Sequence, residues 1–253
     1  MSEILYVYAI GRAGHPLPAD IAAVESGALA AFYSFVDDID YNQAVIDARS
    51  KDVEWLGAIG YRHQSVMTEL MRGGTIIPLR AFTLFANEER LRAHLDAERD
   101  KFDEILTRLD GKQEWTLRIE FDPDRWSEAI VRRVDSLRAL AHDAESASAG
   151  KAFLLRKKLD DEKKRASREA EQQVVGEVEQ AVLAKLACDT VAETRQQRSG
   201  AFPQIDVLIN RDEEARLQEL RDELEQRFAG DGVAIALTGP WPPYTFAGLS
   251  AEG

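Results

Sequence analysis

The chain has 253 residues and a mass of 28.3 kDa, enough for one large domain or two small ones that bury roughly 70–75% of the extended surface. Apolar residues make up 45% and charged residues 30%, an ordinary globular balance that excludes a fibrous or disordered chain. The formal net charge of −13 repels phosphate backbones and anionic lipid, which argues against nucleic acid as a main partner. The single cysteine, Cys188, excludes an intrachain disulfide and a cysteine-based zinc site. Met1-Ser2-Glu3-Ile4 lacks a basic signal-peptide start, and the apolar run Ala28 to Val36 is too short for membrane insertion, so the expected location is the cytoplasm.

In chain order, Ile4 to Ile10 is rich in β-branched and aromatic residues and predicts a first strand, with Gly11, Gly14, Pro16 and Pro18 after it. Gly27 to Val36 predicts a second, ending at Asp37-Asp38. From Asn42 to Met71, Leu56, Ile59, His63, Val66, Met67 and Leu70 share one face of a long helix that Gly73-Gly74 ends. Thr75 to Phe85 reads as an edge or bent strand, because Pro78 lacks an amide donor. Asn87 caps a helix from Glu88 to Leu109, and Trp115, Leu117, Ile119 and Phe121 alternate with polar residues as a half-buried strand.

Pro123 opens a helix to Glu145, and Ser146 to Gly150 predicts a turn. A charged helix follows from Lys151 to Ala187, its opposite charges interleaved as on a solvated face. Ile205 to Ile209 predicts a strand. Asn210 or Asp212 caps the next helix, with Leu217, Leu220, Leu224 and Phe228 inward, and Val233 to Leu237 is the last strand. The pattern gives an α+β chain of two domains, residues 1–121 and 122–253, the second with long helices and a Pro/aromatic tail.

Chemistry-bearing motifs fail in specific ways. Gly111-Lys112 and Gly150-Lys151 lack the upstream glycine and the following Ser/Thr of a phosphate-cradling loop. His15, His63, His94 and His142 are too scattered for a helical zinc pair. Asp38-x-Asp40-x-Asn42 opens like a calcium loop, but Gln43 and Arg49 stand where glycine and glutamate are needed, so it reads as a capped helix start. Cys188 reads as a small core hydrophobe, and His63 as a buried histidine bonded to a carbonyl rather than a catalytic base. No catalytic residue, metal site or cofactor site is expected.

Thr238-Gly239-Pro240-Trp241-Pro242-Pro243-Tyr244-Thr245-Phe246 stands apart from an ordinary surface. Its prolines fix the backbone, so Trp241, Tyr244 and Phe246 either cover the open end of the C-terminal sheet, the reading preferred here, or form a partner-binding patch.

This segment resembles the T-G-P-W-P-P-Y-S-F signature of the GvpF/GvpL family of gas vesicle accessory proteins. Leu5-Tyr6-Val7-Tyr8-Ala9-Ile10 is similar to that family's opening strand, Pro78-Leu79-Arg80 to its P-L-R-F-G segment, Gly111-Lys112-x-Glu114-Trp115 to G-K-x-E-W, and Gly150-Lys151-Ala152-Phe153-Leu154 to G-x-A-Y-L. One departure is Ala81-Phe82-Thr83, where the family often has Phe-Gly-Thr. The resemblance implies a modified ferredoxin-like N-terminal domain and a non-catalytic role in gas vesicle assembly. It also implies binding to the very hydrophobic shell protein and to other accessory proteins, at the gas vesicle. An interaction scaffold unrelated to gas vesicles, docking through the charged helix from Lys151 to Ala187, and a small-molecule enzyme on a ferredoxin-like scaffold are the alternatives.

Overall fold

The computed structural model describes residues 3–186, 188 and 202–248. Its contacts divide the chain into two units, Met1–Glu114 with Pro240–Gly253, and Trp115–Gly239.

The first unit opens with β1 (Glu3–Arg12), β2 (Ala22–Ser26) and β3 (Leu29–Asp37). Helices α1 (Asp38–Tyr41), α2 (Gln43–Arg49) and α3 (Val53–Gly73) follow, then β4 (Ile76–Pro78), β5 (Leu84–Phe85), α4 (Glu88–Ala97) and α5 (Arg99–Leu109). The sheet has the order β2-β3-β1-β4, antiparallel throughout, with β5 also paired to β1. Helices cover both faces: Met67 and Leu70 of α3 join Tyr6, Tyr8 and Phe32 in one cluster, while Tyr33, the next residue along β3, donates to Glu88 of α4 on the other side. Leu5 to Ile10 is therefore buried without a break, because neither side of β1 meets water.

Three departures from the sequence expectation have local causes. The strand expected over Gly27 to Val36 is present as β3, but it is preceded by a partner strand, β2, that the pattern does not predict: Gly27, at φ +61°, occupies the first position of a two-residue turn between them, where only glycine is unstrained. The long helix expected over 42–71 is divided because Asn42 and Asp52 each cap a separate start, accepting from Val45 N at 3.1 Å and Trp55 N at 3.0 Å. Thr75 to Phe85 is two short strands around a turn rather than one bent strand.

The second unit takes in most of β6 (Lys112–Phe121), then α6 (Pro123–Arg133), α7 (Asp135–Ser146), α8 (Ala149–Lys185), β7 (Gln204–Asn210), α9 (Glu214–Phe228) and most of β8 (Val233–Trp241). Its three strands lie in the order β7-β6-β8. Leu117, Ile119, Val207 and Ile235 of the strands meet Val174, Val178 and Val182 of α8 and Leu217, Leu220 and Phe228 of α9 in one core. Asn210 and Asp212 do not cap α9; a 3₁₀ turn, Arg211–Glu213, intervenes. The end of the charged helix expected to reach Ala187 and the stretch before Phe202 lie outside the described residues, Cys188 apart.

The contact division falls a few residues before the expected boundary at 121/122. The units divide at Glu114, because Trp115, Leu117 and Ile119 already belong to the second core, and the chain returns at Pro240, which gives the Pro/aromatic tail to the first unit.

Candidate functional site

Residues two apart on a strand share a face, so β1 presents Tyr6 and Tyr8 together toward α3. On α3, His63 lies one turn before Met67 on the buried stripe, and its ring reaches both tyrosines, with centroids 5.8 Å and 5.5 Å away. A buried phenol and a buried imidazole need polar partners. Tyr6 Oη lies 3.0 Å from His63 Nδ1, and His63 Nε2 lies 3.0 Å from Tyr244 Oη, in the C-terminal tail. Tyr6 Oη also accepts from the amide of Phe82 at 3.2 Å. That lone pair being used, the arrangement that satisfies every proton has Tyr6 O–H donating to Nδ1 and Nε2–H donating to Tyr244.

Burial sets the electrostatics of this relay. It pushes the Tyr6 phenol far above its ordinary range and Tyr244 up to about 12, and it lowers His63 against a smaller opposing effect of the Leu79 backbone. All three groups are neutral at pH 7.

The tail is held by its backbone too. Pro242 and Pro243 lead into a turn closed by Ala247 N to Pro243 O at 2.8 Å. Glu114, buried, accepts from Thr245 N at 3.1 Å and Phe246 N at 3.3 Å through one carboxylate oxygen, and the Arg108 guanidinium donates to the Phe246 carbonyl. Phe246 is consequently only 8% exposed, whereas Trp241 and Tyr244 remain 40% and 38% exposed. Thr238 to Trp241 extend β8, and Tyr244 and Phe246 are seated in the first unit.

The segments singled out in the sequence meet here. Tyr6 and Tyr8 come from the opening strand, Leu79 donates its amide to Tyr8 O at 2.8 Å, and Glu114 of the Gly-Lys-x-Glu-Trp stretch grips the tail. Gly150 to Leu154 belongs to the second unit, at the start of α8. His63 pairs with two phenols, and the Leu79 backbone bears on it as well. The sequence pattern does not point to Glu114, Arg108, Tyr6 or Tyr8 as site residues; the available signal for Glu114 is an acidic residue next to a core tryptophan on a strand whose inner positions are apolar. Cys188 packs against the second core, its thiol pushed up by burial, as a small hydrophobe does. Among the described residues no group of three or more His, Cys, Asp or Glu is placed to hold a metal ion.

A two-unit α+β chain whose C-terminal aromatic strap is locked onto its N-terminal strand by a Tyr–His–Tyr relay defines the class of this protein. The family model described as "Gas vesicle synthesis protein GvpL/GvpF" matches residues 4–248, and the chain belongs to that family. It is 28% identical over 235 residues to gas vesicle protein L of a Streptomyces species, covering 89% of this chain and 82% of that one. It is 31% identical over 200 residues to gas vesicle protein L of Haloferax mediterranei, covering 74% of this chain and 60% of the relative. The crystal structure of GvpF from Microcystis aeruginosa shares the fold at a TM-score of 0.66 and 17% identity, over 97% of this chain and 99% of that one. That of GvpF from an Anabaena species does so at 0.67 and 17%, over 99% and 98%. Among the described residues no helix is long and apolar enough to cross a membrane.

Proposed function

We propose that this protein is a non-catalytic accessory or minor structural component of gas vesicle assembly that binds the hydrophobic shell protein and other accessory proteins. The family match over residues 4–248 carries this reading. The strap supports it. Phe246, Glu114 and Arg108 fix the segment, and with that anchor in place Trp241 and Tyr244 offer rigid, half-exposed aromatic surface at little ordering cost. A small, apolar wall subunit needs such a surface to keep it from aggregating before it joins the wall.

The test is a pull-down of the gas vesicle shell protein run beside thermal melts. Replacing Trp241 with Ala is expected to leave the melting temperature nearly intact and to weaken capture by roughly 2 kcal/mol or more, the scale of an interface hot spot. Phe246→Ala is expected to cost about 3–5 kcal/mol of stability and to lose capture only through misfolding. Unchanged capture by a well-folded Trp241→Ala protein would rule out the strap as the contact.

A further inference from the structure

In a chain of net charge −13, residues 151–168 of α8 hold eight Lys and Arg against three Asp and Glu. Among the described residues, Lys158 with Glu162 at 3.7 Å is the one ion pair these cations make. The same stretch leaves Phe153 and Leu154 70% and 66% exposed. Beside it, between α6 and α8 within the second unit, runs a groove of about 570 Å³. Its accessible apolar lining is Phe121 and Pro123, with Trp126 and Ile130 buried beneath them, and one wall carries Lys163, Lys164 and Arg168. Asp160 and Glu171 also line it. Glu171 is engaged, accepting from Ser167 Oγ at 2.8 Å, which in turn accepts from Trp126 Nε1 at 2.9 Å, so the tryptophan beneath the groove is pinned in place.

We infer that this groove docks an acidic segment of another protein, which sets one or two large apolar side chains against Phe121 and Pro123 and its carboxylates against Lys163, Lys164 and Arg168. Charge complementarity selects the occupant: cations concentrated on one helix of an otherwise acidic molecule attract an acidic surface locally and repel a basic one. The apolar lining distinguishes the site from a phosphate-backbone track, which needs cations without a hydrophobic recess. A membrane surface cannot enter a recess between two helices. The inference concerns the chemistry of a partner and stands whether or not that partner belongs to gas vesicles.

The experiment places a photocrosslinking amino acid at Ser127, which borders the groove without contributing charge. The full chain is expressed in the host in which it occurs, with the same crosslinker at Glu128 as a control, and the adducts are mapped by mass spectrometry. The expected result is a protein adduct at 127 whose crosslinked stretch carries a clear excess of Asp and Glu next to a large apolar residue. That stretch, made as a labelled peptide, is expected to bind the purified chain less tightly as salt rises. Lys163→Glu with Lys164→Glu and Arg168→Glu should weaken it by about tenfold or more, and the three Gln substitutions by less. Melting curves confirm that these surface variants fold. No protein adduct at 127, an adduct to a second copy of this chain, to RNA or to lipid, a neutral or basic crosslinked stretch, or indifference to charge reversal each overturns the inference. The identity of the captured protein bears on the gas vesicle reading, and its acidity on this one, so the two can fail separately.

Discussion

Phe82 shows how a single residue can keep a turn that another residue makes easily. In the turn Arg80 to Thr83, closed by Thr83 N to Arg80 O at 3.2 Å, Phe82 sits at φ +65°, the left-handed conformation that glycine adopts without strain. A side chain there costs roughly 1–2 kcal/mol. The compensation is visible: the ring stacks on Trp55 at 5.5 Å and stands edge-on to Tyr6 at 6.4 Å, and the amide feeds the relay. Phe82→Ala keeps the strain and loses the ring, whereas Phe82→Gly loses the ring and the strain together. Both are expected to destabilise, with the glycine variant more stable than the alanine variant by about 1 kcal/mol in denaturant titrations; equal stabilities would show that the backbone there is unstrained. His63 sets a pH dependence at the same scale. The groups facing it are Tyr6 and Tyr8 from β1 and Tyr244 from the strap, and protonation would make both ring nitrogens donors where Tyr6 already gives its proton. With its folded pKa lowered from 6.5, its contribution to stability is present above that value and is lost as pH falls through it toward the folded pKa. His15 is lowered as well and persists in both proteins compared. Melting temperature is therefore expected to fall more steeply between pH 8 and pH 5 (about 1.4 kcal/mol per unit at most for one group) in the wild type than in His63→Gln.

Among the elements, the strap owes its position to side chains far away in sequence, which is why its place was the least legible feature. Its composition marks it as rigid and aromatic, with Trp241, Tyr244 and Phe246 in one short stretch. Nothing in spacing or periodicity could say that Tyr244 meets His63, 181 residues earlier, or that Glu114 takes two of its amides. Local signals fared better. Alternation in Trp115 to Phe121 and the inward stripe from His63 to Leu70 set β6 and α3, and the α+β class followed from them. Helix divisions and the β2–β3 hairpin were lost where one capping aspartate or one glycine outweighs the hydrophobic pattern around it. Glu114 gives the strap its own prediction. Glu114→Ala removes a buried acceptor from two amides and is expected to cost about 2–3 kcal/mol, while Glu114→Gln, which keeps a carbonyl oxygen there, recovers part of the loss. Thermal melts of the two variants decide it, and equal losses would mean that charge rather than hydrogen bonding holds the segment.

For the whole molecule, the order of the two units along the chain matters more than their size. The second unit is one continuous stretch, entered through β6 and left through β8, while the first is assembled from residues on both sides of it. A continuous unit with its own core loses nothing when the flanking chain is removed, but a unit closed by its distant end cannot form without that end. We propose on this ground that the two units pack separately and that they differ in autonomy. A fragment of residues 112–241 holds all three strands of its sheet and every buried residue of its core, from Trp115 to Ile235. It is expected to fold alone with a cooperative melt. A fragment of residues 1–121 contains the complete first sheet, yet it leaves Glu114 without the strap amides, His63 without Tyr244, and the surface under Phe246 and Ala247 open to water. That fragment is expected to be unstable or aggregation-prone unless a peptide of residues 238–248 is supplied, which should raise its melting temperature with concentration as any ligand of the native state does. Circular dichroism melts of the two fragments, with and without the peptide, are the measurement. A stable 1–121 fragment that ignores the peptide would show that the strap rests on a finished domain, and an unfolded 112–241 fragment would show that the second core depends on the first.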